Sequence, residues 1–97
     1  MLEHWAIAQV TLFSLVRSVR LEGLGDTWAA FSPASGDTLL LNIESAVVIE
    51  LLEHGDAEHD QLCAMLAADI DLPASEISAR LEESWPRLIE AGLVRAR

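Results

Sequence analysis

Hydrophobic and polar positions follow two different rhythms along this chain. Up to about residue 42 the apolar residues come in short runs broken by turn formers, and beyond it they recur at helical spacing. Strands first and helices after is the signature of an α+β domain. Met1 to Val16 fits neither rhythm, because Trp5, Ile7, Phe13 and Leu15 alternate only in part. A strand, a short helix and a flexible arm all stay open there. Residues 1–15 are therefore set apart as an N-terminal arm or extra element, and residues 16–97 as the domain.

Val16 to Leu21 reads as a first strand carrying Arg17 and Arg20, and Gly23, Gly25 and Asp26 make a turn after it. Thr27 to Phe31 forms a second strand. Ser32-Pro33-Ala34-Ser35-Gly36-Asp37 is turn chemistry throughout: proline presets φ, glycine permits positive φ, and Ser and Asp bond the backbone. Thr38 to Asn42 then makes a third strand, so the second and third form a hairpin. Leu39, Leu40 and Leu41 in a row predict apolar cover on both faces of that strand.

Asn42 or Ser45 caps a helix that runs through Leu52 and ends near Gly55, with positions 47, 48, 51 and 52 on its apolar face. Asp56 is the expected cap of a second helix burying Leu62, Met65 and Leu66. Residues 70–74 connect it to a third helix, which Ser75 caps and whose apolar stripe is Ile77, Leu81, Trp85, Leu88 and Ile89. Glu76 with Arg80 and Glu83 with Arg87 are i,i+4 pairs in the favourable order. Pro86 inside that helix costs about 3 kcal/mol, which predicts a bend or a stop near Ser84. Gly92 closes the helix, and Leu93-Val94 returns toward the sheet. A three-stranded antiparallel sheet followed by three helices, the last two joined by a short turn, is winged helix-turn-helix-like.

Thr27 to Phe31, the segment Ser35-Gly36-Asp37-Thr38-Leu39-Leu40-Leu41-Asn42, the apolar helix from Ile43, and Leu88 to Val94 together resemble the PqqD-type peptide chaperones, also called RiPP recognition elements. Within them the chain is most similar to the branch labelled HPr-rel-A system PqqD proteins, which commonly has His where this chain has Leu39. The resemblance implies a non-catalytic module that holds a ribosomally made precursor peptide for a modifying enzyme. It further implies that the leader adds as an antiparallel strand beside the third strand, with the third helix as the opposite wall. The edge would then be Thr38, Leu39, Leu40, Leu41 and Asn42, and the wall would use Arg80, Ser84 and Arg87 as exposed positions. The alternative is a winged-helix protein-interaction or dimerisation module that binds no leader.

Charge narrows the partners. All six basic residues are Arg, against sixteen carboxylates, for a net charge of −10 over 97 residues. No cation stands between Leu21 and Ala79, a stretch with twelve carboxylates. Nucleic-acid binding draws its affinity from neutralised phosphates, and a DNA-reading helix is basic, whereas Ser75 to Ala91 has four Glu and two Arg. Nucleic acid and anionic membrane surfaces are therefore excluded as partners. The acidic balance fits a partner with some basic character. Arg80 and Arg87 lie two turns apart on one face of a straight helix. They either meet carboxylates on a peptide or simply answer Glu76 and Glu83.

No residue pattern points to catalysis. Cys63 is the only cysteine and sits among Leu62, Met65 and Leu66, which reads as a small buried hydrophobe in a reduced, cytoplasmic protein. No signal-peptide pattern opens the chain, and its longest uncharged run is too short to span a bilayer. Glu53-His54-Gly55-Asp56-Ala57-Glu58-His59-Asp60 has metal-ligating types, but its two His straddle a predicted helix break, and a solvated acidic loop is expected there. Neither a nucleophile elbow nor a phosphate loop is present, so no enzyme activity, metal or cofactor is expected. Trp85 belongs to the core stripe, Trp28 suits either strand face, and Trp5 with the hydrophobic N-terminus points to a homodimer.

Overall fold

The computed structural model describes residues 11–97, so the expectations for Trp5 and the rest of residues 1–10 lie outside it. In chain order the elements are β1 (Leu12–Leu15), β2 (Arg20–Leu24), β3 (Thr27–Phe31), β4 (Thr38–Leu41), α1 (Ile43–Glu53), β5 (Ala57–Glu58), α2 (His59–Asp69), α3 (Ala74–Glu90) and β6 (Val94–Ala96). The fold is α+β and winged-helix-like: the antiparallel sheet β2-β3-β4 is followed by three helices. A second antiparallel sheet, β5-β1-β6, has β1 in its middle. Leu12 to Leu15 thus pack with the domain, and Phe13 is buried in the core. This sheet escaped the periodicity reading because β5 and β6 are too short to show a period.

The first hairpin differs from expectation. Its leading strand is Arg20–Leu24, not Val16 to Leu21. Val16 and Val19 are buried on either side of a tight turn in which Ser18 adopts φ +68°. Gly23 lies within β2 opposite Trp28, where a Cβ would meet the indole ring at 3.4 Å. The glycine makes room for a half-buried tryptophan, and the turn shrinks to Gly25-Asp26.

The core is built on α3. Ile77 and Leu81 are fully buried, with Trp85 and Leu88 beside them, against Val48, Ile49, Leu62, Leu66 and Leu93. Trp85 stacks on Phe13 of β1, ring centroids 3.7 Å apart, which joins α3 to the second sheet. Ile89 and Met65, expected inside, are exposed.

Three helix boundaries also shift. Asn42, not Ser45, caps α1, its Oδ1 accepting the Ser45 N–H at 2.9 Å. Asp56 does not cap α2, because its carboxylate is taken by Arg97 at 2.8 Å; Glu58 holds the cap position, with its N–H donating to Gln61 Oε1. Helix α3 begins at Ala74 after Pro73 rather than at a Ser75 cap, the Pro73 carbonyl accepting the N–H groups of Glu76 and Ile77. It then continues through Pro86 to Glu90 as one helix, without the stop near Ser84. Pro86 and Glu82 are both exposed, so the Glu82 carbonyl that a residue-86 N–H would have bonded lies on the solvent side of the helix.

Candidate functional site

Among the described residues, strand β4 pairs with β3 on one side only, in the register Trp28–Leu41, Ala29–Leu40, Ala30–Leu39, Phe31–Thr38. The turn bond from Ser32 N–H to the Asp37 carbonyl, 2.9 Å, sets the phase of this ladder. Antiparallel pairs alternate between bonded and non-bonded, so Leu39 and Leu41 spend their backbone groups on β3. Thr38 and Leu40 turn their N–H and C=O toward the free edge. Side chains alternate in the same way: Leu41 is buried, Leu39 half-buried against the core, and Thr38 and Leu40 are exposed. Leu40 is 60 % exposed, so the apolar cover expected on both faces of this strand is missing on one. Phe31, 38 % exposed, shares that outer side of the sheet.

The hairpin is clamped onto the end of α3. Ser32 Oγ donates to the Gly92 carbonyl at 2.7 Å and Ser35 Oγ to the Ala91 carbonyl at 2.8 Å, satisfying acceptors at the helix end. Gly92 takes φ +78°, and a Cβ on it would lie 2.9 Å from Ser35 Oγ. Only glycine allows this close approach. The same turn that starts β4 thereby fixes its spacing from α3.

Two cavities line the gap between them. The larger, about 620 Å³, is walled by Asn42, Glu44, Arg80, Glu83, Ser84 and Arg87. The smaller, about 300 Å³, is walled by Asp37, Thr38, Leu39, Arg87, Glu90 and Ala91. Arg87 borders both. Of the eight residues singled out from the sequence, Thr38, Leu39, Asn42, Arg80, Ser84 and Arg87 line these cavities. Leu40 lies on the outer face beside the free edge, and Leu41 faces the core. Ser84 is a correction in exposure: it is buried, with its hydroxyl donating to the Arg80 carbonyl at 3.0 Å and lying 3.3 Å from Ser45 Oγ. It shapes the floor and offers no free side chain.

The two arginines differ sharply. Arg80 is tied twice, to Glu76 at 3.1 Å and to Glu44 at 3.0 Å, and these partners, the Glu76 hydrogen bond first, hold its guanidinium above its ordinary pKa. Arg87 has no ion pair among the described residues; the expected Glu83–Arg87 pair does not form. Glu44 was not singled out by the sequence reading, because an acid in a first helical turn reads as a companion of the helix dipole. In the structure it is 3 % exposed, and its Oε2 is shut off from solvent without a hydrogen-bond partner. The larger cavity balances two carboxylates with two guanidinium groups, whereas the whole chain stands at −10.

The acidic loop resolves differently. His54 is exposed at the end of α1, while His59 opens α2 with its ring turned inward. Trp85 Nε1–H donates to His59 Nδ1 at 3.0 Å, which assigns the ring proton to Nε2, facing Ser78 Oγ at 3.0 Å and Cys63 Sγ at 3.4 Å. Both nitrogens of His59 are thus engaged in packing α2 against α3. Burial pushes the Cys63 thiol above its ordinary pKa, with Asp60 and Glu82 adding to the rise and the Ser78 hydrogen bond opposing it. A thiol so held is a poor nucleophile. No group of three metal-ligating side chains comes together among the described residues. No helix among them is long and apolar enough to cross a membrane.

No family model matches the chain, and no curated protein matches it. Among solved structures, it is similar to TbiB1 in complex with the TbiA(beta) leader peptide, with a TM-score of 0.68 and 15% identity over 84% of this chain and 94% of that one. At that identity the likeness shows a shared fold, extending over nearly the whole of the other chain.

Proposed function

We propose that this chain is a non-catalytic peptide-binding module of the RiPP-recognition kind, which holds the leader segment of a ribosomally made precursor for a modifying enzyme. The observation that carries the reading is the free edge of β4 facing Arg80 and Arg87 of α3 across an open groove. Strand addition needs free backbone donors and acceptors for affinity and side-chain pockets for specificity. Thr38 and Leu40 supply the first, Leu39 with the α3 wall the second. A protein of the same fold was solved with a leader peptide bound, which supports the reading. The finer resemblance to the HPr-rel-A branch of the PqqD proteins rests on the Ser35 to Asn42 segment.

In this proposal a leader lies antiparallel to β4, exchanging backbone bonds with Thr38 and Leu40. Arg87 meets a carboxylate or a backbone carbonyl of the peptide, and Asn42 and Arg80 border the far end. The exposed apolar side chains Phe31 and Leu40 favour one further contact, with the modifying enzyme or a second copy on the outer face of the sheet. The test is an NMR titration with a peptide encoded beside the gene or selected on the folded protein. Shifts are expected across residues 38–42 and 80–87; tight binding with shifts confined elsewhere overturns the groove.

A further inference from the structure

The wall of the larger cavity contains a carboxylate that the fold does not satisfy. Glu44 is buried on the first turn of α1, directly after the Asn42 cap, at the end of the groove that continues from β4. Oε1 receives one bond from Arg80, and Oε2 receives none. A buried carboxylate oxygen without a donor is costly, because desolvation is not repaid by a hydrogen bond. Arg80 is not a fixed partner. It is 46 % exposed, and both its Nε and NH2 also reach Glu76 Oε2, at 3.3 and 3.1 Å. If Arg80 swings fully to Glu76, it stays paired, and Glu44 is left with neither oxygen bonded.

From this arrangement we infer that Glu44 is a specificity residue of the groove and takes an arginine side chain of the bound peptide, displacing Arg80 toward Glu76. The inference rests on the peptide-binding reading above. A guanidinium fits better than an ammonium, because its planar fork bonds both carboxylate oxygens at once and thereby satisfies Oε2. Glu83 and Arg87 on the same wall offset each other's charge, so the cavity turns net acidic only where Arg80 withdraws from Glu44. The net charge of −10 draws a basic peptide toward the protein. Structural tethering of α1 to α3 alone accounts for the Arg80 bond but leaves Oε2 unexplained.

The test uses phage-displayed random peptides selected on the whole protein, on Glu44→Gln and on Leu40→Pro, each variant first checked for a folded NMR spectrum. Wild type is expected to enrich extended sequences with Arg at one fixed position. Glu44→Gln is expected to enrich the same extended core without the Arg. A synthetic wild-type-selected peptide should lose affinity for Glu44→Gln by about tenfold or more, the worth of a charge-assisted bond. Its Arg→Gln analogue should bind both proteins alike. Should Glu44→Gln fail to fold, Glu76→Gln serves instead, since taking away Arg80's second partner should weaken binding of the Arg peptide but not of its analogue. Binding that needs the β4 edge yet shows no Glu44-dependent Arg overturns this assignment alone. Peptides that bind Leu40→Pro as well as wild type overturn the groove and the assignment together.

Discussion

Strands β1 and β4 are both four residues long and rich in leucine, yet the fold uses them in opposite ways. β1 is flanked by β5 and β6, and its Phe13 ring stacks on Trp85. Its backbone and side chains are consumed by the structure. Among the described residues, β4 is flanked by β3 alone, with Leu40 exposed and half of its backbone groups turned outward. An open edge is a liability that proteins usually cover or charge. Here it is short and faces a helix wall across a groove, which is where the proposal seats a peptide.

The sharpest way to break the contrast is to truncate one apolar side chain on each strand. Phe13→Ala should cost about 3–5 kcal/mol by losing a buried ring and its stack, whereas Leu40→Ala should stay within about 0.5 kcal/mol. Chemical denaturation measures both. Proline substitution separates the two edges of β4 itself. Leu41→Pro removes a ladder bond to Trp28 and should cost about 3 kcal/mol. Leu40→Pro removes an outward N–H, so it should fold near-normally and lose peptide affinity, since edge strands tolerate proline there. Equal destabilisation by both would show that the ladder phase is wrong.

A smaller effect is expected at the clamp that spaces β4 from α3. Gly92→Ala forces a side chain into positive φ and against Ser35, and should cost about 1–3 kcal/mol. It should also shift the NMR signals of Thr38 and Leu39 without peptide. The smallest effect is at Cys63. Its pKa is raised in the fold, so its contribution to stability is complete below the ordinary thiol value and is lost as pH rises through the raised one. Alkylation by iodoacetamide at pH 8 should therefore be slower in the folded protein than in urea; equal rates would contradict the burial.

How much of this was readable from residues alone differs between the same two regions. The hairpin was legible, because the Ser32 to Asp37 turn chemistry and the run of leucines mark β3 and β4 almost to the residue. β1 was not, since a strand flanked on both sides shows no alternation and its partners are too short to detect. Local capping rules chose Asp56 and Ser75, and failed because Arg97 claims Asp56 from the far end of the chain and Pro73 starts α3 two residues early. The groove wall came from the family resemblance, and helical spacing added only that Arg80 and Arg87 share one face. Spacing carries no information on long-range pairing. It could not reveal that Glu44 reaches Arg80 across 36 positions, nor that Arg87 stays unpaired among the described residues.

The central claim is that the outward backbone of β4 is reserved for a peptide strand, and amide hydrogen exchange of residues 38–41 tests it most directly. Without peptide, Thr38 and Leu40 should exchange fast while Leu39 and Leu41 are protected by β3. Adding a tightly bound peptide should protect Thr38 and Leu40 and leave the other two nearly unchanged. Unaltered exchange at Thr38 and Leu40 under saturating peptide would contradict the account.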